Sequence, residues 1–124
     1  MSELFGTKKR AVGAHYGTIG FIVQRLTATL LAIYSVFFLL TLLFTPVTYE
    51  NWLHLFTFTV LSIPAGQICV TLVFFTLAWH AWIGIRDVWM DYIDCWMLRL
   101  VLFIFTIFWL IAMSMYFCFV IWSL

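Results

Sequence analysis

Few side chains in this sequence can do chemistry, and most of them fall in one stretch, Trp79-His80-Ala81-Trp82-Ile83-Gly84-Ile85-Arg86-Asp87-Val88-Trp89-Met90-Asp91-Tyr92. His80 stands alone inside a long apolar run. A neutral imidazole surrounded by hydrocarbon is costly unless it meets a partner, so it counts as a functional candidate. Imidazole is a common metal ligand, and haem iron in particular often takes an axial histidine. A hydrogen bond to a neighbouring helix is the competing explanation of the same residue. Asp91 and Tyr92 follow where the apolar run gives way to charge. A phenol can donate to a quinone carbonyl, and a carboxylate beside it can relay protons. Anchoring of Tyr92 at a membrane interface, with Asp91 merely solvated, would explain them too. The chemical reading of the stretch is a haem ligand below a quinone-facing rim.

Spacing sharpens that reading. His80 precedes Arg86 by six residues, which at about 1.5 Å per residue places it about 9 Å inside the charged rim. Thr76, Gly84, Asp87 and Asp91 share its helical face. Gly84, one turn on, removes a side chain where a flat macrocycle or a close helix crossing needs room. Arg25, alone among charges in the first apolar run, sits about 7 Å inside the same rim. It can pair with haem propionates or snorkel to anionic headgroups. Beyond it, Ala28, Ala32 and Ser35 form a stripe that favours close helix packing. A haem held by two histidines needs a second one at the depth of His80. His54 falls on the opposite side of the membrane and His15 ahead of the first helix, so any second ligand must come from another polypeptide.

The elements that position these residues follow from composition. Of 124 residues, 66% are hydrophobic and 9% charged, and the mean hydropathy is +1.14. A soluble domain this small cannot hide so much apolar surface, so lipid is the solvent for much of the chain. The net charge of +1 gives no electrostatic basis for nucleic-acid binding. Cys69, Cys95 and Cys118 are far apart, without metal-ligand spacing, and read as small packing residues.

Three apolar runs, each long enough to cross a bilayer at about 20 residues per span, predict an all-α membrane protein. The predicted helices cover approximately 19–44, 65–90 and 98–123, in a single domain spanning 1–124. Residues 1–18, with Lys8, Lys9 and Arg10, read as a basic lead-in without the features of a signal or transit peptide. Thr45 to Phe58 reads as a polar-aromatic loop. All six Lys and Arg residues lie on one side of the predicted membrane: Lys8, Lys9, Arg10, Arg25, Arg86 and Arg99. The positive-inside rule then predicts a cytoplasmic N-terminus and a periplasmic C-terminus. Tyr49, Trp52 and Trp122 would mark the outer interface, and Trp89, Tyr92 and Trp96 the inner one. The simplest location is a bacterial inner membrane.

Phe21-Ile22-Val23-Gln24-Arg25-Leu26-Thr27-Ala28, His80-Ala81-Trp82-Ile83-Gly84, Asp91-Tyr92 and Leu98-Arg99-Leu100 resemble the small hydrophobic anchor subunit, the D subunit, of bacterial succinate dehydrogenase (complex II). The resemblance covers most of the chain, and its most specific part is the His-Ala-Trp-x-Gly run followed by Asp-Tyr. It implies that His80 is an axial ligand of a haem b shared with a second membrane-anchor subunit. It implies further that Tyr92 hydrogen-bonds a ubiquinone carbonyl, that Asp91 supports the quinone pocket and that Arg25 lies near the haem propionates. The implied partners are that second anchor, an iron–sulfur subunit and a flavoprotein subunit. The implied function is docking and electron transfer in succinate:ubiquinone oxidoreductase. No catalytic centre would be complete in this chain, which has neither a Rossmann glycine pattern nor a cluster-binding cysteine set. Two other readings stand beside it: the anchor of a menaquinol-linked fumarate reductase, and a non-catalytic membrane assembly protein with His80 merely packed.

Overall fold

The computed structural model describes residues 14–124, with side chains from residue 17 onward. The basic lead-in with Lys8, Lys9 and Arg10 lies outside the described residues. Four helices follow: α1 (Ala14–Phe44), α2 (Tyr49–Thr57), α3 (Ala65–Tyr92) and α4 (Trp96–Ser123). Three of them, α1, α3 and α4, are long and apolar enough to cross a membrane. The helix α3 stands between the others, packing against α1, α2 and α4.

The side-chain pattern is the inverse of a soluble bundle. Phe44 is 80% exposed and Leu43 75%, while Thr27 and Thr106 are buried at 8% and 5%. Lipid solvates aliphatic side chains as well as a protein core does, so burying them gains little. Polar groups instead must be satisfied within the protein. The hydroxyls accordingly bond back along their own helices: Thr41 to the Phe37 carbonyl, Thr76 to Leu72, Thr106 to Leu102 and Ser114 to Leu110.

Two expectations change. The segment read as a loop contains the helix α2, and the first helix begins at Ala14, which puts His15 in its first turn. The helix α2 forms because Thr48 caps it, its hydroxyl accepting from the Asn51 amide at 3.3 Å, and because Glu50 lies in its first turn. Asn51 Nδ2 also donates to the Pro46 carbonyl at 2.9 Å, which fixes the bend out of α1. One face of α2 then packs by rings: Trp52 and Phe56 each lie 6.1 Å from Phe38 of α1 and 5.3 Å from one another.

A tight turn returns the chain to α3. Leu61 and Ser62 both take positive φ, 50° and 65°, and the Val60 and Ile63 backbones exchange two hydrogen bonds of 3.0 and 2.9 Å. Two successive left-handed residues are what a two-residue reversal of this hand requires. The reversal presses Gly66 against α2, where its amide donates to the Phe58 carbonyl at 2.8 Å. A Cβ there would sit 2.8 Å from the Phe56 carbonyl oxygen and the Phe58 amide nitrogen, both fixed backbone atoms. At the other end of α3, Arg99 donates from Nε and Nη2 to the Ile93 carbonyl at 3.1 and 2.7 Å. This bond ties the start of α4 to the end of α3.

Gly66→Ala therefore overpacks a backbone contact, at a cost of about 1–3 kcal/mol. We expect less folded protein in the membrane and a lower thermal midpoint after solubilisation, whereas Gly17→Ala, whose added methyl would meet no atom of the described residues, changes neither.

Candidate functional site

The polar contacts that cross between α1 and α3 lie at the level of His80. Thr27 Oγ1 sits 2.9 Å from His80 Nδ1, and also 2.8 Å from the Val23 carbonyl and 3.1 Å from the Gln24 carbonyl of its own helix. His80 is half-buried, and among the described residues its Nε2 has no hydrogen-bond partner. One turn along, Gln24 packs over Gly84, its Nε2 lying 3.6 Å from where a Gly84 Cβ would be. Gln24 Oε1 is buried and lacks a partner among the described residues. A further turn along, the Arg86 guanidinium reaches back over Gly20, 3.8 Å from where its Cβ would be. Thr27 with His80, Gln24 with Gly84 and Gly20 with Arg86 thus form a ladder between the helices. Gly84 serves the close helix crossing that its spacing allowed.

The other predicted residues are placed apart from this ladder. Arg25 is exposed, and its guanidinium lies 5.1 Å from the ring centre of Phe21, one turn back on the same helix. Two positions from Thr27 is about 200° around a helix, so Arg25 turns outward as Thr27 turns in. Asp91 and Tyr92 occupy the last turn of α3, within the helix, and Tyr92 is 79% exposed. The structure brings His80 against α1 and leaves Asp91, Tyr92 and Arg25 facing outward. Arg86 pairs with Asp87 at 3.1 Å, but both are largely exposed and the pair adds little stability.

Several residues that organise this region carry no signal by type alone. Trp89, expected to mark the inner interface, donates from its indole to the buried Thr106 hydroxyl at 3.0 Å and joins α3 to α4. Gln67 donates to the Ile121 carbonyl at 2.9 Å and closes the opposite end of the same helix pair. Between α3 and α4, beside Gly84, opens an apolar cleft of about 360 Å³ lined by Val88, Trp89, Phe105 and Trp109. Asp91 and Tyr92 do not line it. The cysteines are free, and no cluster of His, Cys, Asp or Glu capable of holding a metal ion occurs among the described residues.

Three membrane-spanning helices, with one histidine held between two of them beneath a rim of charged and aromatic groups, define a small polytopic membrane subunit. The chain matches the model of the succinate dehydrogenase/fumarate reductase transmembrane subunit family over residues 5–121. It belongs to that family. It is also 38% identical over 81 residues to the succinate dehydrogenase hydrophobic membrane anchor subunit of Coxiella burnetii (strain RSA 493 / Nine Mile phase I). That match spans 64% of this chain and 66% of the relative, just under two thirds of its length.

The Gly84 contact gives a graded prediction. At 3.6 Å a methyl group fits, so Gly84→Ala should leave the membrane-inserted protein as stable as the parent. Gly84→Leu must displace Gln24 and should cost about 1–3 kcal/mol, read as a lower thermal midpoint in detergent.

Proposed function

We propose that this chain is the membrane-anchor subunit of a succinate:ubiquinone oxidoreductase, docking a flavoprotein and an iron–sulfur subunit. It supplies one axial ligand to a haem b and part of the ubiquinone-reduction site. The observation that carries the reading is His80: a lone imidazole inside a membrane-spanning helix of this family, hydrogen-bonded through Nδ1 and with Nε2 unengaged. The donor set fits a haem iron, which takes a neutral imidazole nitrogen, and does not fit a dedicated all-protein metal site, for which further ligands are wanting among the described residues. The relative's name favours the succinate-oxidising reading over the fumarate-reducing one.

In this reading a bound haem supplies one-electron redox capacity within the bilayer. The work of this chain is positional. His80 presents one ligating nitrogen, and the second ligand belongs to another membrane-anchor subunit. Arg25, exposed beside Phe21, is the partner for a propionate. Tyr92 donates its phenol proton to a quinone carbonyl, which polarises the carbonyl as negative charge builds on it. Asp91, its neighbour in sequence, supports the pocket by orienting water or a proton donor. The N-terminus is cytoplasmic and the C-terminus periplasmic, an orientation that the lysine and arginine distribution supports, and the membrane is a bacterial inner membrane. The charged rim then faces the soluble subunits.

The decisive measurement is a dithionite-reduced minus oxidised optical spectrum of the purified complex. His80→Ala should abolish the b-type signal while the subunits remain assembled; a full signal in that variant would sink the ligand assignment. Tyr92→Phe should lower quinone reduction at least tenfold and leave succinate oxidation by an artificial acceptor intact. Loss of both activities would point to failed assembly instead.

A further inference from the structure

We propose that Thr27 is the positioning residue of His80, fixing its tautomer and ring plane so that Nε2 is the ligating nitrogen. The inference rests on the reading of His80 as a haem ligand and concerns a residue which that reading leaves unassigned. Thr27 is buried, 8% exposed, and its Oγ1 is shared among three neighbours. Two of these, the carbonyls of Val23 and Gln24, can only accept. A hydroxyl has one proton to give and two lone pairs to receive with. If the proton goes to the Val23 carbonyl, His80 Nδ1–H donates to Oγ1 and the contact holds two hydrogen bonds. If instead the hydroxyl donates to a bare Nδ1, one bond replaces two, and the ring proton moves to Nε2, which has no acceptor among the described residues. An unpaired N–H in a low-dielectric span is the costlier outcome. The Nδ1–H tautomer therefore prevails, with the lone pair on Nε2.

Threonine suits this role for a further reason. Its bond to the carbonyl four residues back fixes χ1, so Oγ1 is a stationary acceptor. A stationary acceptor at 2.9 Å from Nδ1 also fixes rotation about the His80 χ2. Donation from Nδ1–H raises the basicity of the opposite nitrogen, which strengthens a metal–ligand bond and favours the more oxidised metal.

The test is made on the purified complex with Thr27→Val, which keeps the β-branched shape and removes the hydroxyl, and with Thr27→Ser, which keeps the hydroxyl. Haem retention on dilution and the haem midpoint potential are measured for each. Thr27→Val should weaken haem binding about 10- to 100-fold and move the potential positive, and Thr27→Ser should restore both. A purely structural threonine would change the yield of complex but not the potential of the haem in complexes that do assemble. If Thr27→Val does not accumulate, Thr27→Ala gives the same comparison with the space left open. Parental potential and retention in the hydroxyl-free variant would overturn the proposal, as would an equal shift in Thr27→Ser. His80→Ala separates the two levels of inference: haem kept in that variant defeats the ligand reading, whereas haem lost there but unaltered in Thr27→Val defeats only the role of Thr27.

Discussion

Hydrocarbon accepts and donates no hydrogen bonds, and that constraint accounts for more of this structure than any packing argument does. Because lipid solvates Phe, Leu and Ile side chains freely, their outward placement costs nothing and they are left facing it. A hydroxyl, indole or amide in the bilayer instead gains by finding a partner inside the chain, although Gln24 Oε1 finds none among the described residues. The bonds that result either run back along one helix, as Thr41 does to Phe37, or pass between helices, as Trp89 does to Thr106 and Gln67 to Ile121. The second kind holds the bundle together at specific heights. In a soluble protein such bonds would be worth little against water; here the alternative is an unsatisfied group in lipid.

The central position of α3 follows from the same constraint. It carries Gln67 and Trp89 toward α4 and His80 toward α1, with Gly84 between Gln24 on one side and an apolar cleft on the other. A displacement of α3 would break polar contacts on both of its faces together. The clamp of Arg99 on Ile93 and the tight approach of Gly66 to α2 fix its two ends. His80 is thus mounted on an element held by polar contacts on two faces and at both ends.

The three spans were legible in the sequence because a charge-free run of that length has few other uses, and His80 was legible because a polar side chain inside one is an anomaly. What escaped was whatever depends on pairing between distant positions. The helix α2 is short, and its amphipathic face acquires meaning only against Phe38 of α1. Thr27 belongs to the stretch that carries the resemblance but has no role of its own until its partner, 53 positions away, is known. Trp89 has the type and position of an interfacial anchor, and only the place of Thr106 on α4 turns its indole inward. Arg99 lay within a recognisable Leu-Arg-Leu motif, yet its bond to the Ile93 carbonyl depends on how sharply the chain turns there. In the candidate site, residue types pointed to His80, Tyr92, Asp91 and Arg25, and only the fold separates the one that turns inward from the three that face out.

That separation bears on where a haem can lie in the proposed function. At the depth of His80 the space between α1 and α3 is taken, by Thr27 against the imidazole and by Gln24 over Gly84. A macrocycle has no room there. In the proposed function it would instead be held from the free edge of the half-buried His80, outside the α1–α3 contact. Another membrane-anchor subunit would supply the remaining ligand in that reading. A single histidine at this depth and a filled α1–α3 contact would, in the proposed function, be two expressions of one arrangement, with the cofactor held at a boundary between subunits. In that reading the inner contact of Thr27 with His80 would hold the imidazole in place at that boundary.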